Sequence, residues 1–263
     1  MSDCAPDGTA FDLTGPKDAP VVSFIHGLGL CRQMWAAHLA NIGPFRVLTY
    51  DLFGHGQSAP LPGDATLSIY ARQLCDLLDH LGIGRTHMIG FSIGGMINRR
   101  FALDHPDRLK SLVILNAPHD RGAEAQKQVE IRARSVRDQG PMATMDAALE
   151  RWFTPEFLEG SQDLPNLVRH WRMSADPESY AQAAWVLAHG VRDLIAPSPP
   201  IAAPTLIMTC ENDSGSTPEM SRKIAVEIAG ARLRIVPALK HLGLLEHPPA
   251  FTNPIRDFLS DDA

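Results

Sequence analysis

Nearly continuous apolar runs of four to eight residues recur along the first half of the chain, each followed by a segment with helical spacing. Val21-Val22-Ser23-Phe24-Ile25, residues 45–50, 86–89 and 109–116 have the length and apolar content of strands buried on both faces. Residues 33–40 read as a short helix. Over residues 67–81, Leu67, Ala71, Leu74, Leu77, Leu78 and Leu81 share one helical face, and Gly82 and Gly84 supply the stop. Residues 95–103 read as the next helix. After a long interruption the rhythm returns with a strand at 205–210, a helix over 218–229, a strand at 232–236 and a terminal helix near 249–259. Such alternation predicts an open sheet of parallel strands joined by right-handed helical crossovers.

The interruption, residues 119–200, has no strand pattern. Helical stretches at 125–138 and 180–187 are separated by Pro141, Pro155, Pro165 and Pro177, and Pro197-Ser198-Pro199-Pro200 closes the segment as a stiff linker. The expectation is a core made of residues 1–118 and 201–263, with a helical cap, 119–200, inserted into it. Three of the four tryptophans, Trp152, Trp171 and Trp185, lie in the cap with Met145 nearby. Packing of cap onto core is the stronger reading for any one of them. Together they are candidates to line an apolar pocket.

Composition narrows the function. A hydrophobic fraction of 44% and a charged fraction of 21% over 263 residues supply a large core. A net charge of -6 leaves no general basic face for nucleic acid. Cys4, Cys31, Cys75 and Cys210 are widely spaced without a C-x-x-C pair, which suggests neither a zinc site nor a disulfide framework. Acidic residues begin the chain where a secretory signal would be basic, and no apolar run approaches the ~20 residues of a membrane helix. A cytoplasmic protein without a membrane or nucleic-acid partner is expected. Oligomeric state is left open. No H-E-x-x-H, phosphate loop or carboxylate cluster suggests a metal or nucleotide cofactor. Gly54-His55-Gly56-Gln57-Ser58-Ala59 fits a dinucleotide fingerprint formally, but Pro60 and Pro62 deny it the following helix, so it reads as a turn.

The candidate chemistry centres on Gly90-Phe91-Ser92-Ile93-Gly94, a G-x-S-x-G pattern between a predicted strand and a predicted helix. That context holds a serine in a strained turn with its hydroxyl presented as a nucleophile. A serine needs a base and a group to orient the base. In the chain order that accompanies this turn, both partners follow later strands. Asp213 follows the strand at 205–210, with Glu211 its nearest competitor, and His241 follows the strand at 232–236. His26, His55, His119, His189 and His247 are less well placed. The oxyanion that forms on a carbonyl requires donors, for which the backbone N–H groups of Ile93 and of Leu28, in His26-Gly27-Leu28-Gly29, are the candidates.

These residues resemble the α/β-hydrolase superfamily across essentially the whole chain. Asp51-Leu52-Phe53-Gly54-His55-Gly56-Gln57-Ser58 looks like the family's turn after an early strand, and Ser92, Asp213 and His241 fall on its expected motifs. Arg151-Trp152-Phe153-Thr154-Pro155, Ser179-Tyr180-Ala181, Ala203-Pro204-Thr205-Leu206 and Leu245-Glu246-His247-Pro248 are similar to 3-oxoadipate enol-lactonases and related small esterases. His26-Gly27 departs from the Asn-Ser common in enol-lactonases. The resemblance implies an α/β-hydrolase fold, a mostly parallel sheet flanked by helices with an inserted cap, and a serine hydrolase acting on a small-molecule ester or lactone without a cofactor. Rivals with the same three residues are a carbon–carbon bond hydrolase and a perhydrolase or haloperoxidase-like enzyme. Outside catalysis, the rival is a ligand-binding pseudohydrolase. The cap arginines Arg132, Arg134, Arg151, Arg169 and Arg172 are candidates to meet a substrate carboxylate, though most are expected to be surface charge.

Overall fold

The predicted apolar runs all become strands of one sheet in the computed structural model, which describes residues 3–261. In chain order the elements are β1 (Asp3–Cys4), β2 (Ala10–Thr14), β3 (Val21–Ile25), α1 (Ala36–Leu39), β4 (Arg46–Tyr50), α2 (Leu67–His80), β5 (Thr86–Phe91), α3 (Ile93–Asp104) and β6 (Leu109–Leu115). Then come the helices α4 (Gly122–Gln139), α5 (Met145–Trp152), α6 (Pro155–Gly160), α7 (Asp163–Met173) and α8 (Pro177–His189). The chain ends with β7 (Thr205–Cys210), α9 (Pro218–Glu227), β8 (Arg232–Val236), α10 (Gly243–Glu246) and α11 (Pro249–Asp261).

Among the described residues the sheet has eight strands in the order β1-β2-β4-β3-β5-β6-β7-β8. β1, β2 and β4 pair antiparallel, and every pairing from β4 through β3 to β8 is parallel. The antiparallel β1 and β2 are absent from the sequence reading. β2 exposes the end of a five-residue strand at the side of the sheet, and its Asp12 and Thr14 dilute the apolar signal.

The central strands feed two cores, as alternation of side chains across a pleated sheet requires. From β6, Leu112 and Ile114 join the core formed with α2 and α3, including Leu74, Leu78, Ile97 and Phe101. Val113 and Leu115 join the opposite core with Trp35, Phe251, Ile255 and Phe258. Burying both faces explains why these strands read as unbroken hydrophobic runs.

Between β6 and β7 the described chain is helical. Pro155 and Pro177 sit in the first turns of α6 and α8, behind Thr154 and Asp176, whose side chains accept from Phe157 N–H and Ser179 N–H. These prolines therefore start helices: the ring supplies the helical φ, and its missing N–H falls where no intrahelical partner exists. α4 and α8 pack together through Val129, Ala133, Val136, Tyr180, Ala181 and Ala184.

Candidate active site

Ser92 stands between β5 and α3 with φ 57 and ψ -115, outside the region that non-glycine residues normally occupy. Its surroundings enforce this conformation. A Cβ at Gly90 would collide with the Gly94 carbonyl, and one at Gly94 with the carbonyls of Ile25 and His26. These glycines let β5, α3 and the chain after β3 close on one another, leaving Ser92 at the head of α3.

The parallel order then delivers two more side chains to the same end of the sheet. His241, in the loop after β8, reaches Ser92 with Nε2 3.2 Å from the Oγ. Its Nδ1 lies 2.6 Å from Asp213 Oδ2, in the loop after β7. Asp213 is completely enclosed, with Oδ1 accepting from Gly215 N–H at 2.8 Å and Ser216 N–H at 2.9 Å. Burial alone would raise its carboxyl pKa. The His241 imidazole, with hydrogen bonds from His241, Asn116 and Ser216, outweighs burial and holds it below the usual carboxylate value.

Asn116 is the member that sequence reasoning missed. It follows β6 with φ 46, and its Nδ2 donates to Asp213 Oδ2 at 2.9 Å, beside the His241 bond. In the sequence it reads only as the polar end of a strand. Glu211, the competitor of Asp213, is engaged elsewhere, because its Oε2 accepts from Ala238 N–H at 2.9 Å and braces the loop that carries His241. That loop is also tied to α5, where Leu242 N–H donates to the Trp152 carbonyl and Lys240 Nζ to the Glu150 carbonyl.

The other histidines are occupied in different ways. His26 donates from Nδ1 to the Gly27 carbonyl and accepts Leu52 N–H at Nε2; burial pushes it down to about 4, which keeps it neutral as a strut beneath the loop carrying Leu28. His55 is buried and pushed down to about 3, first by burial and then by His26. His119 pairs with Glu227, His189 lies against Trp185 and near Glu130, and His247 is exposed at the start of the last helix. The glycine turn after β4 serves structure: Asp51 takes Arg32 and Gln57 N–H, and a Cβ on Gly56 would strike its carboxylate.

A cavity opens above Ser92 and His241. Leu28, Leu30, Phe91, Val129, Val136, Trp152, Leu187 and Met220 give it apolar walls. Of the four residues expected to line a pocket, Trp152 does so and three do not. Trp171 is turned into the packing against the core, where its Nε1 donates to Gln33 Oε1 at 3.2 Å. Met145 is buried behind the wall, in contact with Arg172. Trp185 is 43% exposed on the outside of α8, against His189. Helical phase decided each case, and aromatic content alone does not report phase.

Residues 20–248 match the model of a family described as the alpha/beta hydrolase fold. The chain belongs to the α/β-hydrolase family. This hydrolase is 29% identical over 242 residues to 3-oxoadipate enol-lactonase 2 of Acinetobacter baylyi, across 92% of this chain and 89% of the relative. The enol-lactonase of Burkholderia xenovorans LB400 superposes with a TM-score of 0.88 at 30% identity, covering 96% of each chain. A thermophilic esterase from Thermogutta terrifontis superposes with a TM-score of 0.85 at 30% identity, covering 96% of this chain and 93% of the esterase. No helix of the described residues is long and apolar enough to cross a membrane.

Proposed function

We propose that the protein hydrolyses a carboxylic ester or lactone through an acyl-enzyme on Ser92. The observation that carries this is the unbroken chain Ser92 Oγ, His241 imidazole and buried Asp213 carboxylate, which ends at the floor of a largely apolar cavity. His241 Nε2 takes the hydroxyl proton as Oγ adds to the carbonyl carbon, while Asp213 fixes the ring and stabilises the imidazolium. The oxyanion is assigned to the N–H groups of Ile93, first residue of α3, and of Leu28, which lines the cavity. His241 then protonates the leaving alkoxide and the C–O bond breaks. Water, deprotonated by the same imidazole, attacks the acyl carbon, releases the carboxylic acid and returns the proton to Ser92. In a lactone the alcohol remains tethered to the acyl group, so the product is a hydroxy acid, or its keto form when the lactone is an enol ester.

The helices between β6 and β7 are read as a cap that selects the substrate, because α4, α5, α7 and α8 supply most of the cavity wall away from Ser92. Similarity to enol-lactonases and an esterase supports the ester or lactone class. The test is turnover of short p-nitrophenyl esters and of a panel of lactones by the wild type and Ser92→Ala. Loss of turnover in a folded Ser92→Ala protein is expected, and retained turnover overturns the assignment. A wild type that binds the panel without turning any member over returns the non-catalytic reading.

A further inference from the structure

The cavity wall contradicts the chain's acidic character. Arg121, Arg132, Arg151 and Arg172 all line it, and the one acid that lines it, Asp213, is already matched by His241. Among the described residues none of these four guanidinium groups has a carboxylate within ion-pair distance. The other two candidates behave differently: Arg169 pairs with Asp146, and Arg134 lies outside this cavity.

The four have distinct surroundings. Arg121 donates to the Leu187 and Ala188 carbonyls at the end of α8. Arg172 is 2% exposed, lies over the Tyr180 ring at 5.1 Å, and donates to Thr144 Oγ1 at 2.6 Å. Its Nε is enclosed without a hydrogen-bond partner. Arg132 and Arg151 are half-buried and have no hydrogen bond or ion pair among the described residues; Glu150, beside Arg151 in the chain, is the acid that acts on Arg151. Burial disfavours the charge on Arg121, Arg132, Arg151 and Arg172, and the guanidinium groups repel one another: Arg132 acts on Arg121, and Arg132 with Arg172 acts on Arg151. Unneutralised cations gathered in an apolar cavity cost free energy until an anion arrives.

We propose that the substrate carries two carboxylates besides the bond that is cleaved, held by Arg132 and Arg151 at the wall with the charge of Arg172 behind them. The amount of charge favours two anionic groups over one. Arg132, Arg151 and Arg172, brought together from α4, α5 and α7, lie close enough to act on one another and have no carboxylate of their own, so a single substrate carboxylate leaves the wall net positive. Leu28, Val129 and Val136 leave apolar wall for a short carbon chain between the charged ends. The inference rests on the cavity being the substrate site of the hydrolase proposed above.

The test is calorimetric titration of the full-length Ser92→Ala protein with glutarate, valerate and 1-pentanol, which share chain length and differ in charge. Glutarate is expected to bind at least about tenfold more tightly than valerate, about 1.4 kcal/mol, and the preference to shrink with added salt. Arg132→Gln and Arg151→Gln, on half-buried side chains, are expected each to cut glutarate affinity by about tenfold and valerate affinity by less. Glutarate no tighter than valerate, or a preference that survives both substitutions in folded protein, overturns the proposal. The hydrolase reading is judged separately by covalent labelling of wild-type Ser92 with a small neutral fluorophosphonate, which reports the nucleophile without needing an anionic group. Glutarate selectivity without labelling keeps the dianion site and removes the hydrolase; labelling without selectivity does the reverse.

Discussion

Replacing Asn116 by glycine removes its side-chain bond to the Asp213 carboxylate, together with a weaker contact to the Cys210 thiol. Asn116 Nδ2 is 2.9 Å from Asp213 Oδ2, and the side chain does not line the cavity. Because φ is 46 at this position, glycine keeps the backbone at little steric cost, whereas alanine would add strain. The substitution removes one donor from an enclosed carboxylate and leaves those of His241, Gly215 and Ser216. A hydrogen bond to a charged group contributes about 1.5–3 kcal/mol, and the added backbone freedom costs about 0.5–1 kcal/mol more. Stability should therefore fall by about 2–4 kcal/mol in urea unfolding. If about half of the lost bond is felt when His241 becomes charged, kcat/KM falls about four- to twelvefold, ~0.75–1.5 kcal/mol, through kcat with KM nearly constant. The decisive control is the Asp213→Asn background. Asn116 acts through the carboxylate, so Asn116→Gly should cost no more than about twofold in activity there. An undiminished loss in that background, or no loss in the wild type, contradicts a role through the carboxylate.

Three other outcomes follow from the same contacts. Gly94→Ala places a methyl group against the Ile25 and His26 carbonyls, so melting should fall by an amount equivalent to about 1–3 kcal/mol or more; an unchanged Tm contradicts the close approach. Because the Asp213 carboxyl is held below its ordinary value, the folded state favours its ionised form. That stability is complete above the unfolded pKa of about 3.9 and is lost as pH falls through the lower folded value, so the advantage of wild type over Asp213→Asn in urea should shrink below about pH 4. An advantage constant from pH 7 to pH 2 contradicts this. Finally, Trp152→Ala should change KM for bulky esters, while Trp185→Ala, on the outer face of α8, should leave kcat/KM within about twofold.

Strands β3 to β7 were legible because they are buried on both faces, which leaves unbroken apolar runs such as residues 109–116; β8, largely exposed, showed itself only by its place in the alternation. β2 was not: pairing only at the side of the sheet, it needs few apolar positions, and Asp12 and Thr14 hide it. The prolines in the helical segment marked boundaries correctly but suggested breaks where, at Pro155 and Pro177, they initiate helices. Chain order and strand ends brought Ser92, Asp213 and His241 together on paper because an open parallel sheet gathers its loops at one end. The cavity wall was far less legible. Trp171 and Trp185 lie on α7 and α8, yet one packs inward and the other faces outward, a matter of helical phase set by tertiary packing. Arg121 escaped notice because it lies in the polar stretch just before α4, and Asn116 because a polar residue after a strand has many ordinary explanations.

The most direct test of the central claim is the reaction of the folded protein with a fluorophosphonate, followed by intact-mass and peptide analysis. One adduct per chain is expected, located on Ser92, with labelling abolished in Ser92→Ala and slowed by about a thousandfold or more in His241→Gln. Folded wild-type protein that stays unlabelled at Ser92, or labels equally fast without His241, contradicts that claim.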